Sequence, residues 1–376
     1  MTGNLSESEI RYLVDAVAER LAGGGVTTPQ SAHAACRPAS NAVSTSSVAY
    51  ASLDDAVDAA RRAQPVWAAL PLQKRKNIIA LMRETLDKHT EELSRMAVEE
   101  TGLGRYEDKI SKNRLVIHKT PGPEYLESTS WTGDDGLTLV EYAPYGVIGA
   151  ITPTTNPSET VINNGISMLS AGNTAVFNPH PSAKNVSLRT MEIINQVIVS
   201  MGGPHGCMTT VREPTIDTAG ALMKHPGIRL LVVTGGPAVV NAAMASGKKV
   251  IAAGPGNPPV VVDETADLDQ AAKGIIAGAS LDNNIVCIAE KEIIAVASIA
   301  DELLRKMQQN HAYLLNPQQV AQLEKVVLDA ASGGKYPAKQ FVGKNAAVLL
   351  DAIGVKAGPE MRLVTCEVPE NHPFVQ

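Results

Sequence analysis

Between residues 147 and 253 the chain repeats one pattern, a short apolar run followed by an amphipathic stretch and a glycine or polar break. The apolar runs fall at 147–152, 174–177, 207–211, 230–233 and 250–253. The stretches between them fall at 157–170, 182–200, 216–224 and 238–245, with Gly172 and Gly202-Gly203 closing the first two. Continuous apolar strands, as opposed to alternating ones, suit a sheet buried on both faces, and the intervening helices return the chain for parallel pairing. The pattern predicts an α/β fold built on a Rossmann-type parallel sheet. With 44% apolar residues but only 3% aromatic, its core is aliphatic.

The flanks are organised differently. Over residues 5–22, Ser6 and Glu9 form a capping box and Leu5 with Ile10 a hydrophobic staple, while Ile10, Leu13, Val14, Val17 and Leu21 make one apolar stripe. Residues 23–48 are rich in Gly, Ser, Thr, Ala and Pro and contain Cys36, the composition of a flexible linker. A short amphipathic helix on a tether either docks back on its own body or lies in the groove of another protein. Residues 52–113 carry helical periodicity, with one helix opening at Ser52 and a longer one running from 74 through 86 toward Met96. Asp135-Gly136 between two β-prone runs predicts a hairpin within 130–142, a reasonable assembly element. The rigid turn Gly254-Pro255-Gly256-Asn257-Pro258-Pro259 marks a domain boundary, dividing a first domain over 49–257 from a second α/β domain over 258–376. In the second, strands are expected at 260–262, 293–296 and 362–366, and helices at 268–277, 299–309 and 317–331.

Several function classes are disfavoured. A net charge of −6 and the lack of a long Lys/Arg run argue against nucleic acid. Cys36, Cys207, Cys287 and Cys366 lie far apart with no metal-ligand spacing, which speaks against a zinc site or a disulfide framework and fits a reducing compartment. No apolar run reaches membrane-spanning length and nothing at Met1 resembles a leader, so a soluble intracellular protein is expected. Cys207 and Cys366 sit within apolar runs and are expected in the core. Cys287 instead follows the polar approach Asp282-Asn283-Asn284. A partly ionised thiol is the best nucleophile a side chain offers near neutral pH.

Two further loops follow strands, where open α/β sheets place their ligands. In Thr152-Pro153-Thr154-Thr155-Asn156-Pro157, the Asn156 amide precedes a Pro-started helix. It serves there either as an ordinary N-cap or as a hydrogen-bond donor near the helix's positive end. In Thr234-Gly235-Gly236-Pro237, bare backbone N–H groups open a helix in a way that suits a pyrophosphate.

Taken together, these loops resemble the aldehyde dehydrogenase superfamily. More narrowly, Thr155-Asn156-Pro157, Ile162-Asn163-Asn164, Phe177-Asn178-Pro179-His180-Pro181, the 254–259 turn, Val262-Asp263-Glu264-Thr265-Ala266-Asp267 and Cys287-Ile288-Ala289-Glu290-Lys291 resemble the CoA-acylating members of bacterial microcompartments, of the ethanolamine- and propanediol-utilisation type. The resemblance covers about residues 50–376, and the N-terminal helix and linker are similar to the encapsulation peptides of such enzymes. It implies Cys287 as nucleophile, with the Asn156 side chain and the Cys287 backbone N–H holding the oxyanion. It places Thr152, Pro153 and Thr154 along NAD, Asn178 and His180 near the adenosine, and Thr234, Gly235 and Gly236 at the pyrophosphate, with Gly254 and Gly256 in the joint. It makes 49–257 the NAD-binding domain and 258–376 the catalytic one.

Hydrolytic members keep a glutamate base before the joint, where this chain has Ile251-Ala252-Ala253. Without that base water attacks a thioester poorly, so CoA is the expected acyl acceptor. Glu290 as a substitute base is the weaker reading, a polar pair with Lys291 the stronger. The resemblance also implies that the chain stops short, at Asn371-His372-Pro373-Phe374-Val375-Gln376, of a glutamate that contacts the nicotinamide ribose and of further strands of the catalytic domain. That early stop keeps a catalytically silent cargo or assembly protein in view, beside a hydrolytic dehydrogenase. Which aldehyde is taken is not legible from spacing, and one methyl group discriminates weakly in any case.

Overall fold

A computed structural model of the chain describes residues 48–334 and 336–375. The helix expected over 5–22, the linker up to residue 47 and Cys36 lie outside the described residues.

The expected repeat is present. Strands β1 (Ala49–Tyr50), β4 (Val147–Thr152), β5 (Thr174–Pro179), β6 (Met208–Val211), β7 (Leu230–Thr234) and β8 (Lys249–Ala253) form one sheet in the order β1-β6-β5-β4-β7-β8. Every neighbouring pair is parallel. From β4 the chain moves outward to β5 and β6, then returns to β4's other side for β7 and β8. The reversal opens a crevice between the β4 and β7 ends, the switch point where doubly wound sheets bind ligands. β1, too short to show any periodicity, is an addition that the sequence did not announce.

Successive side chains of a strand point to opposite faces, and β4 shows both faces covered. Ile148 and Ala150 pack with helices α2 (Leu72–Lys88), α3 (Thr90–Thr101), α4 (Tyr106–Lys119), α5 (Pro157–Ser170) and α6 (Lys184–Ser200). Val147 and Ile151 pack on the other side with α1 (Leu53–Ala68), α7 (Ile216–Lys224) and Ala243 of α8 (Pro237–Met244). Trp67 of α1 is wholly buried, and its indole N–H donates to the Leu169 carbonyl at 2.9 Å. The helix expected to run from 74 toward 96 is two helices. His89, at φ −98° and ψ 4°, ends α2 and opens α3, while Leu86 and Leu93 on either side of it stay buried.

Beyond the 254–259 turn the elements are smaller. β9 (Pro259–Val262) pairs in parallel with β10 (Glu292–Ala295), and β11 (Ala312–Leu314) with β12 (Leu363–Thr365). Helices α9 (Leu268–Ala279), α10 (Ala297–Gln309), α11 (Pro317–Val327) and α12 (Ala346–Asp351) accompany them. Their two apolar clusters draw only on residues after 259, and those of the sheet only on residues before 254. The helix expected to reach 331 stops at Val327. Leu328 turns extended and bridges to Pro337, and the Asp329 side chain caps a separate turn by accepting from Ala331 N–H. Cys207 is fully buried as expected, but Cys366 is only partly so, at the margin of its cluster.

The hairpin is β2 (Thr129–Gly133) against β3 (Gly136–Val140). Its two-residue loop is Asp134-Asp135, one position earlier than the Asp-Gly signal suggested, and Gly136 at φ 128° begins the return strand. Both strands are exposed throughout, Trp131, Leu137 and Leu139 included.

Candidate active site

Register brings the sequence-predicted loops to one edge of the sheet. Ile151 pairs with Val233, Thr152 with Pro179, and Thr234 with Ala253. The ends of β4, β5, β7 and β8 therefore carry Thr152 to Asn156, Asn178 to His180, Thr234 to Gly236 and Gly254 side by side. Thr152 is buried, and its hydroxyl has no hydrogen-bond partner among the described residues. An orphaned buried hydroxyl costs free energy unless something meets it, and this one stands at the switch point. The N-terminus of α6 is closed by the protein itself, since the Glu100 carboxylate accepts from Asn185 N–H and Val186 N–H at 2.8 Å each. That of α8 has no side-chain cap at Gly236, which is exposed with open space about it.

Asn178 and His180 are more committed than the sequence implied. The Asn178 amide donates to the Thr215 carbonyl at 3.3 Å and accepts from the Thr218 hydroxyl at 2.6 Å, tying β5 to the capping box of α7. His180 Nδ1 accepts from Ser182 N–H at 3.1 Å, and partial burial holds the imidazole below its ordinary pKa.

Asn156 begins α5, but its side chain makes no capping bond, so the ordinary N-cap alternative falls away. Oδ1 accepts from Lys112 Nζ at 2.6 Å, and Nδ2 donates to Thr155 Oγ1 at 3.1 Å. The Asn156 backbone carbonyl is taken by Thr160, through both its N–H and its hydroxyl.

The approach to Cys287 is unusual backbone. Asp282, Asn283 and Asn284 follow one another at φ 51°, 53° and 61°, a short left-handed turn. Such a conformation costs about 1–2 kcal/mol per residue with a β-carbon. The turn is held from several sides. Asn284 Nδ2 donates to the carbonyls of Ala279 and Glu290, at 2.6 and 3.0 Å. Asn283 Nδ2 donates to the Gly343 carbonyl at 2.9 Å and to Asn345 Oδ1 at 3.0 Å. Cys287 itself is half-buried. A β-carbon on Gly256 would lie 2.3 Å from the Cys287 carbonyl oxygen, so the joint needs glycine there to lie against the cysteine's backbone.

The expected Glu290–Lys291 pair does not form an ion contact among the described residues. Lys291 Nζ instead donates to the Val286 and Ala289 carbonyls at 3.2 and 3.1 Å, on either side of Cys287. Burial lowers its pKa, a shift the Cys287 and Glu290 charges oppose. The Glu290 carboxylate lies against α9, where a β-carbon on Gly278 would be 2.1 Å from its oxygen.

A buried ionic cluster that the sequence did not disclose joins the two loops. Lys109 Nζ reaches Asp282 Oδ2 at 3.0 Å and the Thr155 carbonyl at 3.3 Å. Lys112 Nζ meets the same Asp282 carboxylate in a short contact and Glu159 Oε1 at 3.2 Å. Burial alone would lower the Lys112 pKa, but the Glu159 and Asp282 carboxylates more than offset it and hold the ammonium charged. Asp282 Oδ1 also accepts from Arg105 N–H at 2.7 Å, and Asp282 N–H donates to Asp108 at 2.9 Å. Gly104, at φ 78°, leaves the room this carboxylate occupies. The face α4 buries is Lys109, Lys112, Asn113 and Ile117, mostly polar, so periodicity of apolar residues could not point to it. Gly104, just beyond the end of α3, is the one trace of it in the sequence.

Comparison with known proteins points to one family. The aldehyde dehydrogenase family model matches residues 27–321. The acetaldehyde dehydrogenase (acetylating) EutE of Salmonella typhimurium is 50% identical over 328 residues, 86% of this chain and 70% of its own length. The propanal dehydrogenase (CoA-propanoylating) of Citrobacter freundii is 45% identical over 327 residues, 87% of this chain and 70% of its own. The crystal structure of Rhodopseudomonas palustris propionaldehyde dehydrogenase with bound CoA and an acylated cysteine matches with a TM-score of 0.84 and 48% identity, over 88% of this chain and 75% of that one.

Proposed function

The chain belongs to the aldehyde dehydrogenase family, and from that premise we propose that it is an NAD-dependent, CoA-acylating aldehyde dehydrogenase that converts a short-chain aldehyde into its acyl-CoA. The observation that carries the acylating reading is what stands beside the nucleophile. Gly256 lies against the Cys287 carbonyl, and the strand end just before it, Ile251-Ala252-Ala253, holds no carboxylate that could activate water. Glu290, the substitute considered from the sequence, is turned onto Gly278 of α9.

In this reading the Cys287 thiolate adds to the aldehyde carbonyl carbon. The charge that develops on oxygen is met by the second N–H of Asn156 Nδ2 and by the Cys287 backbone N–H, donors fixed before the charge appears. Lys291, held on the carbonyls beside Cys287, adds positive charge near the thiolate. NAD, when bound, supplies the hydride acceptor that leaves a thioester on Cys287, and CoA supplies the thiol that carries the acyl group away. Thr152, Pro153 and Thr154 with Thr234, Gly235 and Gly236 would hold the dinucleotide, flanked by Asn178, His180 and Gly254. The orphaned Thr152 hydroxyl and the uncapped start of α8 support that fit.

Two wider readings belong with this one. Residues 5–22 deliver the enzyme to a bacterial microcompartment by docking on shell or cargo proteins. The exposed hairpin β2–β3, bearing Trp131, Leu137 and Leu139, is the assembly element of a homo-oligomer.

The test is NADH formation from propionaldehyde, with and without CoA, by this chain and by Cys287→Ala. CoA-dependent turnover lost in the variant is expected. Turnover that ignores CoA would return the hydrolytic alternative.

A further inference from the structure

One ammonium, that of Lys112, touches both halves of the site. It carries three N–H donors and no acceptor; it donates to Asn156 Oδ1 at 2.6 Å and to the Asp282 carboxylate, and pairs ionically with Glu159 Oε1 at 3.2 Å. Because an ammonium cannot accept, only the oxygen of the Asn156 amide can face it, and the choice between the two ends of that amide is made. Nδ2 is left on the other side, with one N–H on Thr155 Oγ1 at 3.1 Å and the second without a partner among the described residues. Asp282, the other end of the bridge, starts the left-handed turn that leads into Cys287.

We propose that Lys112 is the positioning residue of the oxyanion site: it locks the Asn156 amide with its N–H groups outward and, through Asp282, anchors the turn that carries the nucleophile. This rests on reading Asn156 as oxyanion donor and Cys287 as nucleophile. Lys112 touches no reacting atom. Without it the amide is free to rotate half a turn and present its oxygen to an oxyanion, so the donor is lost although Asn156 remains. Lys109 does not duplicate this, since it reaches the Thr155 backbone carbonyl and leaves the Asn156 side chain alone.

A double-mutant cycle tests the lock. Lys112→Met, Lys112→Gln and the charge-balanced pair Lys112→Met with Glu159→Gln are each made in the parent chain and in Asn156→Ala. The pair removes one cation and one anion and keeps Lys109 on Asp282, so loss of folding is not mistaken for loss of positioning. The first readout is the p-nitrophenolate burst from p-nitrophenyl acetate, which acylates a thiol through the same kind of oxyanion and needs no NAD. The second is CoA-dependent NADH formation from propionaldehyde by the same proteins.

Asn156→Ala is expected to slow the burst about 100-fold, the order found when an oxyanion donor is removed. Lys112→Met and the charge-balanced pair should cost about as much in the parent, but less than about 3-fold on top of Asn156→Ala. Lys112→Gln, whose amide can still donate to Oδ1, should recover about 10-fold of that loss, as a partly restored donor geometry would. The KM for NAD should stay unchanged. Equal cost in both backgrounds, or no cost in either, overturns the proposal, and so does a parent chain with no Cys287-dependent burst. A coupled burst without NADH formation leaves the lock standing and removes the dehydrogenase reading instead.

Discussion

The strand β4 and the turn before Cys287 are built on opposite terms. Every residue of β4 is buried in an extended backbone that its Val, Ile and Thr side chains favour, with a parallel neighbour on each side. The turn at Asp282, Asn283 and Asn284 is backbone these residues disfavour, kept by side-chain bonds and by a buried pair of lysines. Local preference and tertiary packing agree in the first and conflict in the second. Conflict of that kind gathers where a site needs a geometry the chain would not choose for itself. In the proposed reading the sheet supplies the edge that carries the cofactor loops, and the turn supplies the aim of one cysteine relative to one amide.

Asp282→Asn should separate the two regions most sharply. It leaves Lys112 with Glu159 and Lys109 with no carboxylate partner among the described residues, and breaking a buried pair in this way costs about 3–5 kcal/mol. Both the denaturant midpoint and the CoA-dependent rate should fall, and a rate unchanged at full stability would sever the turn from the chemistry. Ile162→Ala is the counterpart on the sheet side, in fully buried α5 packing. A cavity there costs about 2–5 kcal/mol, but molecules that remain folded should turn over at the parent's kcat. Loss of kcat in proportion to stability would mean the two regions are not distinct.

The same contrast explains what was legible. Continuous apolar runs located all the strands from β4 to β8 and their helices to within a few residues, because burial on both faces leaves a signal in composition. The places of the loops at their ends were legible too, since Asn156-Pro157 and Thr234-Gly235-Gly236 punctuate the sequence where β4 and β7 end. The ionic cluster was not. Lys109 and Lys112 on a polar helix look like a solvated face, and only the tertiary fold brings Asp282 and Glu159 onto them. Nor could spacing show that Asn178 would be spent on the cap of α7 or that Lys291 would prefer loop carbonyls to Glu290.

A smaller effect tests the strain itself. Asn284 lies at φ 61°, where glycine is at ease. Replacement by Ala or Gly loses the same two bonds to Ala279 and Glu290, but only Ala keeps the left-handed penalty. Asn284→Gly should be the more stable variant by about 1–2 kcal/mol in equilibrium unfolding. Equal stabilities would mean that the turn relaxes and stores nothing.

The smallest effect lies at the sheet edge, where His180 follows β5 and donates its backbone N–H to the Thr152 carbonyl at 3.1 Å. Burial holds its imidazole below the ordinary value of 6.5, so the folded chain takes up this proton less readily than the unfolded one. The resulting stability is present above about 6.5, the pKa of the unfolded group, and is lost as pH falls through the folded value. The hydrogen bond gives the same sign, because a protonated ring has no acceptor left for Ser182 N–H. Urea midpoints of the parent should therefore fall more steeply than those of His180→Gln as pH drops from about 7.5 to 5.5, the interval in which histidine titrates. Parallel slopes would place the ring outside the cap. The effect should stay small, because the ring sits at the rim and the β4–β5 pairing beneath it holds without the cap.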